Sequence, residues 1–220
     1  MDSKVGVTIG CHPHFACDMD TKAWSQLDRI FSMSHPDFPV PPIGLGELGL
    51  DFSHKNHVDI QTQKRVFIKQ LELGKKYSVP IVIHLRDSYG LGLDILKSTI
   101  NSLHPLHIHC FSDNVETAFK FINAFPNAKL GITGLVTYKN PVFIKEVVRR
   151  VSVSKLILET DAPFFPVVHD RLVHISLPSD IDIIAKSIAD IKNISVDYVL
   201  QQNIINCGEV YSKFFDRLSA

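Results

Sequence analysis

An α/β fold, with a parallel sheet covered by helices, is what this 220-residue sequence predicts. Three observations lead there. Short apolar runs alternate with longer amphipathic ones along the whole chain. The short runs are apolar almost throughout, as in strands buried on both faces. No internal repeat, low-complexity tract or linker interrupts the alternation, so residues 1–220 are expected to form one domain.

The strand candidates, in order, are VGVTI (5–9), IGLGE (43–47), IVIH (81–84), LHIH (106–109), KLGIT (129–133) and LILE (156–159). Helical patterns fall between them at 21–33, 58–77, 91–100, 115–125 and 141–151. Two more, at 178–193 and 195–215, close the chain. Asp113, in SDNVET, is the expected N-cap of the helix that follows it.

Composition is that of an ordinary soluble protein, 45% apolar and 21% charged. Lys plus Arg equals Asp plus Glu, 23 each, so formal net charge is zero. That counts against holding nucleic acid by bulk Coulombic attraction, and leaves a local patch or a metal that contacts phosphate directly. The four cysteines form no CxxC pair and read as reduced thiols of an intracellular protein. The start, MDSKVGVTIGCHPH, has no secretory pattern, and no apolar run approaches the roughly 18 residues of a membrane span. An intracellular chain, cytoplasmic or nuclear, with no membrane and no obligate protein partner, is expected.

Ionisable residues gather where the strands end. TIGCHPH places His12 and His14 just past its strand, and GLGELGLD supplies Glu47 and Asp51. PIVIHLRDS supplies His84, Arg86 and Asp87; LHIHCFSD supplies His107 and His109; LILETDAPF supplies Glu159 and Asp161. In parallel βα architectures the loops after the strands converge, so these groups should meet at one site. Imidazoles and carboxylates arriving together are metal-ligand chemistry. A lone buried carboxylate such as Glu47 would be costly without a partner or an ion. His107 and His109 share a face about 6.6 Å apart along the strand, with His109 at the mouth and His107 deeper in the core. Cys110 should face the helix layer.

The segments GCHPHF (10–15), GELGLDF (46–52), PIVIHLRDS (80–88), HCFS (109–112) and ETDAPF (159–164), in this order, resemble the TatD family of metal-dependent deoxyribonucleases. That family belongs to the metal-dependent hydrolase superfamily, built on a TIM-barrel-like (β/α)8 fold. The resemblance implies that Glu47 bridges two divalent ions, Mg²⁺, Mn²⁺ or Zn²⁺. His84 and His109 would complete one site. Asp161 would serve the other and orient the attacking water. His12 would touch substrate phosphate, with Arg86 a second candidate for that contact. The implied reaction is hydrolysis of phosphodiester bonds in DNA, with RNA as an alternative, and with little sequence specificity.

The chain departs from the family pattern in two places. The family opens with a strand bearing an HxH pair, whereas KVGVTIGCHPH matches its third strand, so about six of eight strands are expected and one metal site should be weakened. Between Phe164 and Pro178, where the family usually has an Arg/Asn/Glu-bearing stretch before the proline, this chain reads HDRLVHISLP (169–178). A barrel short of two strands has two open edges. Another hydrolase activity of the same superfamily, or a binding module on an impaired barrel, stays open as an alternative. So does a doubly wound sheet whose strand-end polar groups only cap helices.

Overall fold

The computed structural model describes residues 5–32, 42–140, 142–167 and 175–218. Its six strands are β1 (Thr8–Ile9), β2 (Gly44–Asp51), β3 (Ile81–Arg86), β4 (Leu106–His109), β5 (Lys129–Ile132) and β6 (Leu156–Leu158). Each pairs in parallel with the next in sequence, giving one sheet in the order β1 to β6. One helix lies in each crossover: α1 (Thr21–Phe31), α2 (Ile60–Tyr77), α3 (Tyr89–Thr99), α4 (Val115–Ala124) and α5 (Val142–Arg150). Three more, α6 (Ile181–Lys192), α7 (Val196–Val210) and α8 (Ser212–Leu218), follow β6. Strictly sequential order is the progression of a TIM-barrel wall; a doubly wound sheet would reverse at a switch point. The sheet does not close, and β1 and β6 are its edges.

Alternation along the strands sorts their side chains. Ile83, Ile108 and Leu130 join helix residues such as Phe67, Leu96, Phe121 and Val147 in one fully buried apolar cluster. The intervening positions, among them His84, His107, His109 and Lys129, take the other face. β2 achieves the same sorting through a break in register against β3 between Leu45 and Leu48. Three residues apart, those leucines would face opposite ways in a regular strand, yet both are fully buried. Gly46 makes the bulge possible: it has φ 148°, and a Cβ there would stand 2.6 Å from the Val82 carbonyl oxygen. The bulge carries β2 on to Asp51, past its expected end at residue 47, and turns Glu47 out of the apolar layer.

Elsewhere the boundaries shift modestly. β1 keeps two of the five expected residues. The pattern at 195–215 is split at Tyr211 into α7 and α8. Asn114, not Asp113, caps α4: its side chain accepts from Thr117 N–H, while Asp113 Oδ1 accepts from Asn114 N–H. Asn114, one position on, has the extended backbone that a cap requires.

The β6 edge is not left bare. Leu158 N–H donates to Asn203 Oδ1 at 2.9 Å, and Asn206 Nδ2 donates to Val153 O at 2.8 Å and Leu156 O at 2.6 Å. Two asparagines of α7 therefore occupy hydrogen-bonding groups that a seventh strand would otherwise seek. Most of the HDRLVHISLP stretch lies outside the described residues.

Candidate metal centre

Glu47 stands where the C-terminal ends of β2, β3 and β4 meet. Its Oε2 lies 3.2 Å from His84 Nδ1 and 3.4 Å from His109 Nε2. Asp161, just past β6, places Oδ1 3.3 Å from the same His109 nitrogen. Four of the residues expected from the sequence therefore converge, from four separate segments of chain. His12, after β1, brings its ring centroid to 4.4 Å from that of His84. Donor atoms of His12, Glu47 and His84 all lie within 4.8 Å of one another.

Each of the two central imidazoles is held from behind by a second carboxylate. His84 Nε2 lies 3.3 Å from Asp51 Oδ2, which also contacts His14 Nε2 at 2.9 Å. Asp51 is 2% exposed and takes a further hydrogen bond from Ser53 N–H at 2.8 Å. His109 Nδ1 lies 2.8 Å from Glu159 Oε1, and Glu159 Oε2 accepts from Cys110 N–H at 2.8 Å. This carboxylate–imidazole pairing fixes ring orientation and raises ligand basicity at metal sites.

Charge is balanced within the cluster. Burial raises the pKa of Glu47, but the His84 hydrogen bond and the charges of His109 and His84 together hold it below its ordinary value. Burial opposes the ionised forms of Asp51 and Glu159 too. Hydrogen bonds from His84, Ser53 and His14 outweigh it at Asp51, and the charges of His109 and His107 at Glu159, leaving both well below the usual carboxylate range. Burial pulls His84 and His109 down, but the carboxylates around them hold both above the ordinary imidazole value. His12 goes the other way: burial and the neighbouring His84 lower it to about 4. Its ring is neutral at pH 7, the form that binds a metal.

The residues fit a divalent ion. Ligand atoms around one ion at about 2.0–2.2 Å stand roughly 3–4.4 Å apart, so small movements would bring His12, Glu47 and His84 onto one. Mixed imidazole and carboxylate donors suit Zn²⁺, Mn²⁺ or Mg²⁺ without choosing between them.

Arg86 ends β3 on the same face as His84, with an exposed side chain. His107 lies deeper, 6% exposed, as its place in the strand implies. Cys110 has its Sγ 3.7 Å from Thr133 Oγ1, and burial pushes its thiol up to about 12. Sequence reasoning counted Asp51, Glu159 and His14 among the strand-end groups that should meet, but gave none of them a role in the site. Spacing held a signal for the first two: Asp51 lies four residues after Glu47, and Glu159 two before Asp161 on the same face.

A barrel wall with this donor set at its C-terminal mouth defines a TIM-barrel-like protein with a candidate divalent-metal site. The chain belongs to the TatD related DNase family, whose model matches residues 1–212. It is 33% identical over 157 residues to the 3'-5' RNA nuclease TATDN2 of Homo sapiens, covering 71% of this chain and 20% of that protein. It is 31% identical over 203 residues to the metal-dependent hydrolase YabD of Bacillus subtilis, covering 92% of this chain and 76% of that one. The 3'-5' ssDNA/RNA exonuclease TatD of Salmonella typhimurium is 31% identical over 160 residues, 71% of this chain and 57% of that protein. The chain thus spans only a fifth of TATDN2 and little more than half of that TatD. Among solved structures, the TatD homologue YJJV of Escherichia coli superposes with a TM-score of 0.82 at 22% identity, over 94% of this chain and 76% of that one. A TatD family hydrolase of Entamoeba histolytica gives 0.79 at 21%, over 94% and 75%. These likenesses bear on the fold, and establish it as TIM-barrel-like. No helix among the described residues is long and apolar enough to cross a membrane.

Proposed function

We propose that the chain hydrolyses phosphodiester bonds of nucleic acid, DNA or RNA, with one or two divalent ions held by Glu47, His84, His109 and Asp161. The observation that carries this reading is the position of Glu47 Oε2, between His84 Nδ1 at 3.2 Å and His109 Nε2 at 3.4 Å. A carboxylate so placed would hold an ion together with either imidazole. When bound, such ions polarise a phosphoryl oxygen and lower the pKa of a bound water.

The chain's own residues do the rest. Asp51 and Glu159 hold the two rings so that their lone pairs meet the site without reorientation. Asp161, 21% exposed, is accessible to a water and can accept its proton. His12, neutral and beside His84, serves as a further ligand or as a hydrogen-bond donor to substrate phosphate. Arg86, exposed at the same rim, would neutralise phosphate beyond the reacting bond. No side chain in this set is arranged to read bases, so little sequence preference follows. Relatives named as an RNA nuclease and as an ssDNA/RNA exonuclease support the substrate class, and a 3'-5' exonuclease acting on single strands is the finer form of the proposal.

The test is digestion of end-labelled single-stranded DNA and RNA by the purified chain in Mn²⁺ or Mg²⁺, beside Glu47→Gln. Stepwise shortening that Glu47→Gln abolishes is the expected result. Cleavage only of a small ester, lactone or phosphotriester would replace nuclease with another hydrolase activity. No turnover on any of them would leave a binding module.

A further inference from the structure

The buried polar chain behind His109 does not stop at Glu159. His107 Nε2 lies 2.9 Å from Glu159 Oε1, close but with its N–H turned off the line to that oxygen. On the far side, His107 Nδ1 lies 2.7 Å from the hydroxyl of Tyr211. Tyr211 sits at the junction of α7 and α8, more than 100 residues further along the chain. Its ring crosses the interior of the sheet: a Cβ added to Gly44 of β2 would stand 3.5 Å from Tyr211 Cε1. Four polar groups thus run in series, Tyr211, His107, Glu159 and His109, from the closing helices to the candidate ligand nitrogen.

Three features argue that the series is more than a set of satisfied core groups. First, room is made for it. An added Cβ at Gly131 of β5 would fall 1.8 Å from Glu159 Oε2, so the carboxylate occupies space that any larger residue would fill. Second, Glu159 is confined on three sides, by Cys110 N–H, His109 and His107, leaving it one position. Third, a Tyr211 hydroxyl that donates to Nδ1 fixes the His107 proton on Nε2, the nitrogen that faces Glu159. Without that hydroxyl the ring could take the other tautomer and place a lone pair against the carboxylate.

We propose that Tyr211 and His107 are positioning residues, which fix Glu159 and through it the orientation of His109 toward the metal site. The inference rests on the proposed metal-binding reading. It makes the end of α7 part of the site's support, so an element remote from the chemistry sets how well the site is formed. Removing a group of this kind behind a ligand typically weakens metal binding by about 10- to 100-fold.

Two readouts on the full chain test it: Mn²⁺ affinity by calorimetry, and the hydrogen-bonded Nδ1–H proton of His109 by ¹⁵N-edited NMR in the metal-free protein. Tyr211→Phe keeps the ring and its packing and removes one oxygen. It should weaken Mn²⁺ binding about tenfold, with the melting temperature little changed, and should broaden the His109 proton. His107→Asn and His107→Gln form the second comparison. The Gln amide reaches the place of Nε2 and keeps an N–H beside Glu159, whereas the Asn amide reaches only Nδ1. Gln should therefore keep near-native Mn²⁺ affinity, and Asn should lose it. Unchanged affinity and an unchanged His109 proton in Tyr211→Phe, or equal losses in Asn and Gln, would overturn the inference while the metal site stood. If the wild-type chain bound no Mn²⁺, the metal reading would fall. The positioning role would then be decided by the His109 proton alone, lost in His107→Asn and kept in His107→Gln if it holds.

Discussion

Gly131→Ala measures how tightly the site's buried carboxylate is confined. The new methyl would lie 1.8 Å from Glu159 Oε2 and 2.4 Å from its Cδ. The strand cannot withdraw cheaply, because Gly131 pairs with Ile157 of β6 and its carbonyl accepts from Phe111 N–H at 2.9 Å. Glu159 must move instead, giving up its bonds from Cys110 N–H and His109, both at 2.8 Å. Each is a hydrogen bond to a charged group, about 1.5–3 kcal/mol, and breaking a buried ion pair costs about 3–5 kcal/mol. We expect a loss of about 3–5 kcal/mol, which at roughly 2–4 °C per kcal/mol lowers Tm by roughly 6–20 °C. Mn²⁺ affinity should fall in parallel, because His109 loses its anchor. Gly90→Ala is the control. A Cβ there, at the start of α3, meets nothing within 4 Å, so the change should be neutral or stabilising by up to about 1 kcal/mol. Thermal unfolding of both variants, with and without Mn²⁺, decides the matter. A Gly131→Ala protein melting within about 2 °C of wild type would show that Glu159 is not held as described.

Two further outcomes are expected. The first concerns pH. His84 and His109 are raised in the folded chain, so the stability they contribute is present below the ordinary imidazole value of about 6.5 and is lost as pH rises through their folded values. Asp51 and Glu159 are lowered, so theirs is present above about 4 and lost as pH falls. Metal-free protein should therefore melt higher at pH 6 than at pH 9. Mn²⁺ should reverse the order, since it requires both rings deprotonated, and calorimetry in buffers of different ionisation enthalpy should register proton release. Metal-free melting that rises steadily from pH 6 to 9 would contradict the pairing described. The second is Asn206→Ala, which strips partners from the carbonyls of Val153 and Leu156 at a fully buried position. At about 1–3 kcal/mol for each of the two acceptors left unpaired, a loss of about 2–6 kcal/mol should appear as a lower urea midpoint.

Much of this site was legible in the sequence, because its chemistry and its strand ends coincide. His84, His109 and Asp161 follow apolar runs that become strands within a residue or two of their expected limits. Glu47 was legible as an anomaly, a carboxylate in an apolar run. Its physical accommodation was not. Simple alternation cannot bury both Leu45 and Leu48, and the bulge that does so depends on a contact between Gly46 and Val82, residues of different strands. The outer carboxylates were hidden for a related reason. Asp51 and Glu159 act through partners 33 and 50 residues away, and local spacing, which sets them beside Glu47 and Asp161, does not say which rings they hold. The same holds for Tyr211, which inside a helical pattern reads as one more apolar position. Only the break between α7 and α8 and the packing of its ring across β2 give its hydroxyl a partner.

That difference also accounts for the role the two kinds of residue have here. Glu47, His84, His109 and Asp161 present atoms to solvent at the mouth, where an ion and a phosphate can reach them. Asp51 and Glu159 are enclosed, and each would be costly to bury alone. They are tolerated because the imidazoles they hold supply the compensating charge, and in return the rings are fixed before any ligand arrives. The proposed metal donors and the ion pairs of the metal-free protein thus share most of their contacts. A substitution at the outer carboxylates should therefore lower folding stability and metal affinity together, whereas one at Asp161, 21% exposed and joined to the network only through His109 Nε2 at 3.3 Å, should shift the balance: Asp161→Asn should lower the metal-free Tm by much less than Gly131→Ala does, while weakening Mn²⁺ binding. A metal-free Tm that fell as far as in Gly131→Ala would place Asp161 among the structural carboxylates instead.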